Sequence, residues 1–319
     1  MVQIPTEPFT FADLARWGLS PHQVRRLVDA GLLRRPLRGA YCPADLPDTT
    51  EVRACCAALV LPEHSVVCDR SAAWLHGIDV LEPSEADRTP ALEVVAVRGN
   101  NRVRREGVYG GERALLPEDV CELFGVRVTT PLRTACDLAC LRGRYSALAV
   151  LDAFARVHGV TLKEIERILP RYRRRRGVVQ LRQLAPAMSP QRESTGESFC
   201  AAAIQHAGLP LPTPQVWVDL DGFGRVRLDH AYEELKIAVE YDGEEFHTTE
   251  ADRERDRQRR AALEAAGWLV IVVRKHDFTG AALDAWLGRL RRALEERDRP
   301  YRRTYPEGQT RERPHRRRN

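Results

Sequence analysis

The stretch from Arg225 to His247 reads RVRLDHAYEELKIAVEYDGEEFH and carries acids where a strand would not ordinarily hold them. Side chains alternate along a strand, which sets Leu228, His230 and Tyr232 on one side and Asp229 on the other. In the next run Ile237, Val239 and Tyr241 alternate with Ala238, Glu240 and Asp242, so Glu240 and Asp242 share a face. Lys236 to Tyr241 is apolar enough for an interior strand, which puts the Glu240 carboxylate near a core. Desolvating an unpaired carboxylate costs several kcal/mol, so a partner is required. One acid on each strand of a hairpin at a sheet edge suits a divalent cation held by oxygen ligands. The chemistry that this set would serve is metal-dependent phosphodiester hydrolysis. A structural salt bridge from Glu240 to Arg227 across the hairpin is the alternative.

The elements around these acids can be read in order. Glu197 to Ala207 is a helix with Phe199, Ala202, Ala203 and Ile204 apolar, closed by Gly208. Strands follow at 215–220 and 225–232, joined by a turn through Asp221-Gly222. The run 236–241 is the third strand. Thr249 to Ala266 is a long charged helix ended by Gly267, and WLVIVV at 268–273 reads as a strand covered on both faces. An amphipathic helix over 281–296 completes an αβββαβα order. Glu193 competes with Glu197 as the acid of the first helix.

The residues and their spacing resemble the PD-(D/E)XK nuclease superfamily, and more closely the domain family related to very-short-patch-repair (Vsr) endonucleases. The likeness is carried by Ser194, Glu197 and Ser198, then AGLPLPTPQ (207–215), LDHAY around Asp229 and AVEYDG around Glu240 and Asp242. His247, DRQR (256–259) and AGW (266–268) follow, so that it covers about residues 189–294. It implies a restriction-endonuclease-like core in which Asp229, Glu240 and Glu197 bind Mg²⁺ or Mn²⁺. It also implies that the sheet edge receives a nucleic-acid backbone. The superfamily's lysine two residues after the second acid is replaced here by Asp242, as in the Vsr-like branch, so the general base is unassigned. His247 is the nearest candidate, because an imidazole titrates near neutral pH. Asp256 and Arg259 lie three apart on one helical face, where Arg259 could supply the positive charge beside a phosphate. A solvated ladder of Asp252, Asp256 and Arg259 is the alternative. The candidate catalytic set is Glu197, Asp229, Glu240, Asp242, His247 and Arg259.

The chain has 319 residues and a net charge of +5, enough for two or three domains. Its only lysines are Lys163, Lys236 and Lys275; the other basic residues are arginines, which grip phosphate bidentately but also follow from a GC-rich genome. RYRRRR at 171–176 and the tail 297–319 are basic runs, either solvated or in contact with nucleic acid. The first ten residues lack the basic and apolar regions of a signal peptide, and no apolar run approaches the ~20 residues of a membrane span. The eight cysteines contain no CxxC pair, which fits buried thiols in a reducing cytoplasm.

Phe9 to Tyr41 reads as a winged helix-turn-helix. Thr10 caps a short helix through Arg16, and Gly18 makes the turn. Ser20-Pro21-His22-Gln23 is a capping box with proline at the first helical position. Val24, Leu27 and Val28 form the buried stripe of the second helix, which leaves His22, Gln23, Arg25, Arg26 and Asp29 for a groove-reading side. LLRRPLRGAY (32–41) forms the wing, with Arg34, Arg35 and Arg38 toward a DNA backbone. This module, with SAAWLHGI (71–78) and TTPLRTACDLA (129–139), resembles the AbiEi-like antitoxin and regulator family of type IV toxin–antitoxin systems. That likeness implies DNA binding, a toxin protein as a further partner, and no catalysis. His64, His76, Cys68 and Asp69 lack ligand spacing and read as structural.

The expected fold is therefore α/β and multidomain. It comprises a winged helix-turn-helix at 1–48, an antitoxin-like α/β region at 49–188, a nuclease-like domain at 189–297 and a disordered basic tail at 298–319. Two functions compete: a DNA-delivered metal-dependent endonuclease, and an antitoxin-like regulator whose nuclease-like domain is a relic. The oligomeric state is not set by the sequence.

Overall fold

The computed structural model describes residues 4–62, 65–80, 91–97, 99, 104, 108–243 and 250–298, and only the backbone of 251–253. The expected disorder of the tail and the role of His247 therefore fall outside the described residues, as does His64.

The N-terminal module forms as its capping residues dictate. Thr10 caps a 3-10 turn that leads into α1 (Leu14–Trp17), and Gly18 ends it in the left-handed region at φ 60°. The Ser20 side chain accepts from Gln23 N while Gln23 Oε1 accepts from Ser20 N at 2.8 Å, which starts α2 (Pro21–Asp29). The hairpin β1 (Leu33–Leu37) and β2 (Ala40–Pro43) follows, and Phe9 bridges to Tyr41 as a short third strand. Phe9, Leu14, Val24, Leu33 and Tyr41 close a small core.

The middle region opens with α3 (Thr50–Ala58), β3 (Ser65–Val67) and α4 (Asp69–Leu75). It continues through β4 (Leu92–Val97), β5 (Val108–Arg113), β6 (Val120–Leu123) and β7 (Val126–Thr129). The five strands form a mixed sheet in the order β5-β4-β3-β7-β6. One core joins Leu37, Ala40 and Cys42 of the wing to α3, α4 and this sheet, so the winged module is packed on the middle region. A helical layer comes next: α5 (Pro131–Leu141), α6 (Arg144–His158), α7 (Leu162–Ile168) and α8 (Val178–Leu184). Gly177, at φ 81°, sits where a Cβ would lie 2.0 Å from the Cys140 carbonyl oxygen, so any side chain there would push α8 away from α5.

The C-terminal region runs α9 (Thr195–His206), β8 (Thr213–Leu220), β9 (Gly224–Tyr232), β10 (Ile237–Asp242), α10 (Glu250–Ala265), β11 (Leu269–Arg274) and α11 (Gly280–Arg297). This is the expected order of elements. Its sheet runs β11-β10-β9-β8, with β10 and β11 parallel. The run at 268–273 is a strand, but β11 lies at the sheet edge. Ile271 and Val273 are buried while Leu269, Val270 and Val272 are half-buried, rather than covered on both faces. Ala201 and Ala202 of α9 join the helical core of α5 to α8, and a buried Arg192–Asp152 pair at 2.8 Å ties the segment before α9 to α6.

Candidate functional site

The ladder between β9 and β10 pairs Ile237 with Tyr232, Ala238 with Ala231 and Val239 with His230, and then stops. Beyond that fork the Asp229 side chain replaces the ladder, its Oδ2 accepting from Tyr241 N at 2.9 Å. The expected shared side of Leu228, His230 and Tyr232 is broken: Leu228 packs with Ala231, Ala238 and Leu263 of α10, whereas Tyr232 and Val239, the register partner of His230, pack with Ile204 of α9. His230 is fully buried, and burial together with the nearby Arg192 charge depresses its pKa to about 3. Asp229, Glu240 and Asp242 line one open cleft with Arg259 and Arg260 of α10. Glu197, in the first turn of α9 under the Ser194 cap, is buried. Its Oε2 accepts from Gln215 Nε2 at 2.8 Å and from Glu193 N at 3.0 Å. Gly196 makes this approach possible, since a Cβ there would fall 2.2 Å from the Tyr241 ring.

Burial, and then the charges of Glu197 and Glu240, push the Asp229 carboxyl up to about 7. The three acids thus share one electrostatic neighbourhood, and at neutral pH the site holds a proton close to its release point. Arg259 is the cation built into it. Its Nη1 donates to Glu240 Oε2 at 2.9 Å and its Nη2 to Glu240 Oε1 at 2.5 Å, with a further bond from Nη2 to the Arg227 carbonyl at 3.0 Å.

Several expected pairings are replaced by others. Glu240 pairs with Arg259 rather than Arg227, because α10 crosses the face that carries Glu240. Arg227 instead forms a double hydrogen bond to Glu193, at 2.9 and 2.7 Å. Glu193 therefore precedes the helix and pairs with the sheet, which leaves Glu197 as the helix acid. Asp256 pairs with Arg260, one turn on at 2.6 Å, and both line the cleft beside Arg259. Asp242 lies in the cleft, but its Oδ2 is 3.2 Å from Arg274 of the neighbouring edge strand. Among the described residues, no three His, Cys, Asp or Glu side chains are arranged to hold a metal ion. In donor chemistry Asp229, Glu240 and Glu197 fit a hard, oxygen-seeking cation. Binding would require Glu240 to exchange its guanidinium. Sequence reasoning passed over Gln215 and Trp217, whose signal was polar or aromatic residues at alternate positions of β8.

On the winged module His22, Arg25 and Arg26 are exposed along α2, as are Arg35 and Arg38 on the hairpin. Arg35 also lies 5.8 Å from the Tyr41 ring centre. Two residues of the expected DNA face are engaged inside the protein. Gln23 spends its side-chain oxygen on the capping box. Arg34 reaches back to the Leu46 carbonyl at 3.2 Å and to Asp48 at 3.5 Å, because its strand packs on the segment leading into α3.

Part of the RYRRRR run has a role that neither expectation gave it, in ion pairs within the protein. Arg175 reaches Asp137 at 2.7 Å, and Arg171 pairs with Asp119. Tyr172 is buried, with its hydroxyl donating to Asp137 at 2.5 Å. Arg133 bonds both Asp137, at 2.9 Å, and Asp119, at 3.0 Å, and Arg113 bonds Asp137 and Asp69. Arg173, Arg174 and Arg176 remain exposed. His76, buried, is hydrogen-bonded to the Thr129 carbonyl at 2.8 Å, in agreement with a structural role.

Comparison with known proteins adds to this geometry. Residues 7–44 match the family described as "Transcriptional regulator, AbiEi antitoxin", and residues 65–187 match the "AbiEi antitoxin C-terminal domain". Both matches end before α9. Two uncharacterized proteins of Mycobacterium tuberculosis, from strains CDC 1551 / Oshkosh and ATCC 25618 / H37Rv, are each 30% identical over 254 residues, which is 77% of this chain and 87% of theirs. Among the described residues no helix is long and apolar enough to cross a membrane. The chain belongs to one family with these mycobacterial proteins, and its N-terminal and middle regions are the two AbiEi antitoxin domains.

Proposed function

We propose that the protein is an AbiEi-type transcriptional regulator that binds duplex DNA through its winged helix, with a toxin protein as a second partner. The observation that carries this reading is the exposed basic face of α2, with His22, Arg25 and Arg26 clear of the core that Val24 closes. Such a helix places side chains in a major groove while Arg35 and Arg38 of the wing reach the flanking phosphates. The test is gel-shift titration of the full chain against its own upstream region, with Arg25→Ala/Arg26→Ala as the comparison. Binding should weaken strongly with salt, since each arginine–phosphate contact releases counterions. Equal affinity of the double variant would overturn the reading.

A second reading, metal-dependent phosphodiester cleavage by a Vsr-like PD-(D/E)XK domain, is favoured by one observation: Asp229 is pushed up to about 7 by burial and by two neighbouring carboxylates. Mg²⁺ or Mn²⁺ bound by Asp229, Glu240 and Glu197 would supply a polarised phosphate and an acidified water. In that reading Tyr241 N orients Asp229, Gln215 orients Glu197, and Arg259, displaced from Glu240, neutralises phosphate charge. His247 would position or deprotonate the attacking water, and Asp242 would hold Arg274 beside the cleft. Incubation with plasmid, mismatched duplex and single strands, with Mg²⁺, Mn²⁺ or EDTA, separates the two readings. Cleavage that is lost in Asp229→Asn and Glu240→Gln supports the enzyme. No cleavage of any substrate leaves the regulator with an inactive nuclease-like domain.

A further inference from the structure

We infer that the outer end of the C-terminal sheet is a stacking platform for unpaired nucleic-acid bases, centred on Trp217. This goes beyond the duplex-binding reading of the winged helix. Trp217 lies on β8, the edge strand, and is 53% exposed. The guanidinium carbons of Arg225 and Arg227 lie 4.9 and 5.8 Å from its ring centre. Trp217 is the register partner of Arg227 on β9, and Arg227 is held in place by its double bond to Glu193. A half-exposed indole beside two exposed arginines, one of them anchored, is the combination that binds single strands: a ring for the base and cations for the ring and backbone.

Its position also points to a nucleic acid rather than a peptide. Trp217, Arg225 and Arg227 share the face turned away from α10, since Val216, Val226 and Leu228 on the other face pack with Leu263, and Asp229 follows Arg227 two residues on, at the fork that opens to the acid cleft. Arg259 joins the two features by bonding both the Arg227 carbonyl and Glu240. Asp219 lies opposite Arg225 in register, and Glu193 neutralises Arg227. The platform is therefore near-neutral, and stacking rather than counterion release should carry its affinity.

The test is fluorescence anisotropy of the full chain with labelled oligothymidylate, oligouridylate and a duplex. The wild type should bind single strands with a shallower salt dependence than duplex, and the DNA and RNA arms identify the sugar. Trp217→Ala should weaken single-strand binding about tenfold, the scale of one stacked base, and leave duplex binding unchanged. Trp217→Phe should retain most of the affinity, and circular dichroism and thermal melts should match for all variants. Arg225→Ala supplies an independent loss if Trp217→Ala proves unstable. Absence of single-strand binding by the wild type, unchanged binding in Trp217→Ala, or equal losses on single strand and duplex would each overturn the proposal. Failure of the duplex arm alone would overturn the winged-helix reading and leave the platform standing.

Discussion

In the middle region three aspartates, Asp69, Asp119 and Asp137, meet four arginines, Arg113, Arg133, Arg171 and Arg175. In the C-terminal region three carboxylates, Glu197, Asp229 and Glu240, share a neighbourhood in which Arg259 is the arginine bonded to one of them. The first cluster is closed: Asp137 is fully buried, and both its oxygens accept from arginines or Tyr172. Excess cation and complete hydrogen bonding leave it nothing further to bind, so its work is to hold α5 and the segment after α7 against the sheet. The second cluster has an excess of acid and opens to a cleft, and burial, with the charges of Glu197 and Glu240 added to it, pushes the Asp229 carboxyl up to about 7. Both clusters are built from carboxylates and arginine. Charge balance and access to solvent separate a structural network from a candidate site.

The largest effect is expected from Asp137→Asn. It strips charge from the acceptor that Arg113, Arg133 and Arg175 share, leaving buried cations poorly compensated, at a cost of about 3–5 kcal/mol. The urea midpoint should fall accordingly, and a small change would break the contrast.

Asp229→Asn is expected to have the opposite sign. The folded-state pKa of Asp229 is raised above its unfolded value, so its contribution to stability is fully present below about pH 4 and lost as pH rises through about 7. Removing the charge should therefore stabilise the protein above pH 7 by on the order of 2–4 kcal/mol and flatten the decline between those limits. Urea denaturation across that pH range measures both, and destabilisation at pH 8 would place Asp229 with Asp137.

A smaller change is expected from Glu240→Gln. It removes one of the neighbouring charges and frees Arg259, so the transition near pH 7 should move to lower pH, as read from the same denaturation series. Arg257→Ala should do least. Its pair with Glu254 on α10 is exposed at both ends, and the urea midpoint should not move measurably.

Much of the architecture was legible because its signals are local. The Ser20–Gln23 capping box, the Asp221-Gly222 turn and the alternation over β10 depend on residues a few positions apart, and all appear where they were read. The acids of the cleft were legible for this reason too, since strand alternation limits which side chains can meet. In β9 the period of two does not carry through, since Leu228 packs on the side of α10 and Tyr232 on the side of α9.

The pairing of charges was not legible. Arginine is long and reaches several acceptors, so sequence offered Arg227 or Arg259 to Glu240 with no means to choose. Packing of α10 across the sheet selected Arg259 and sent Arg227 to Glu193. The same holds for the RYRRRR run, where the fold paired Arg171 and Arg175 with buried aspartates and left Arg173, Arg174 and Arg176 exposed. It holds for Arg34, drawn to Asp48 by the seating of the wing on α3. Periodicity and capping are written in neighbouring residues, whereas the partner of a buried charge depends on which distant element arrives beside it.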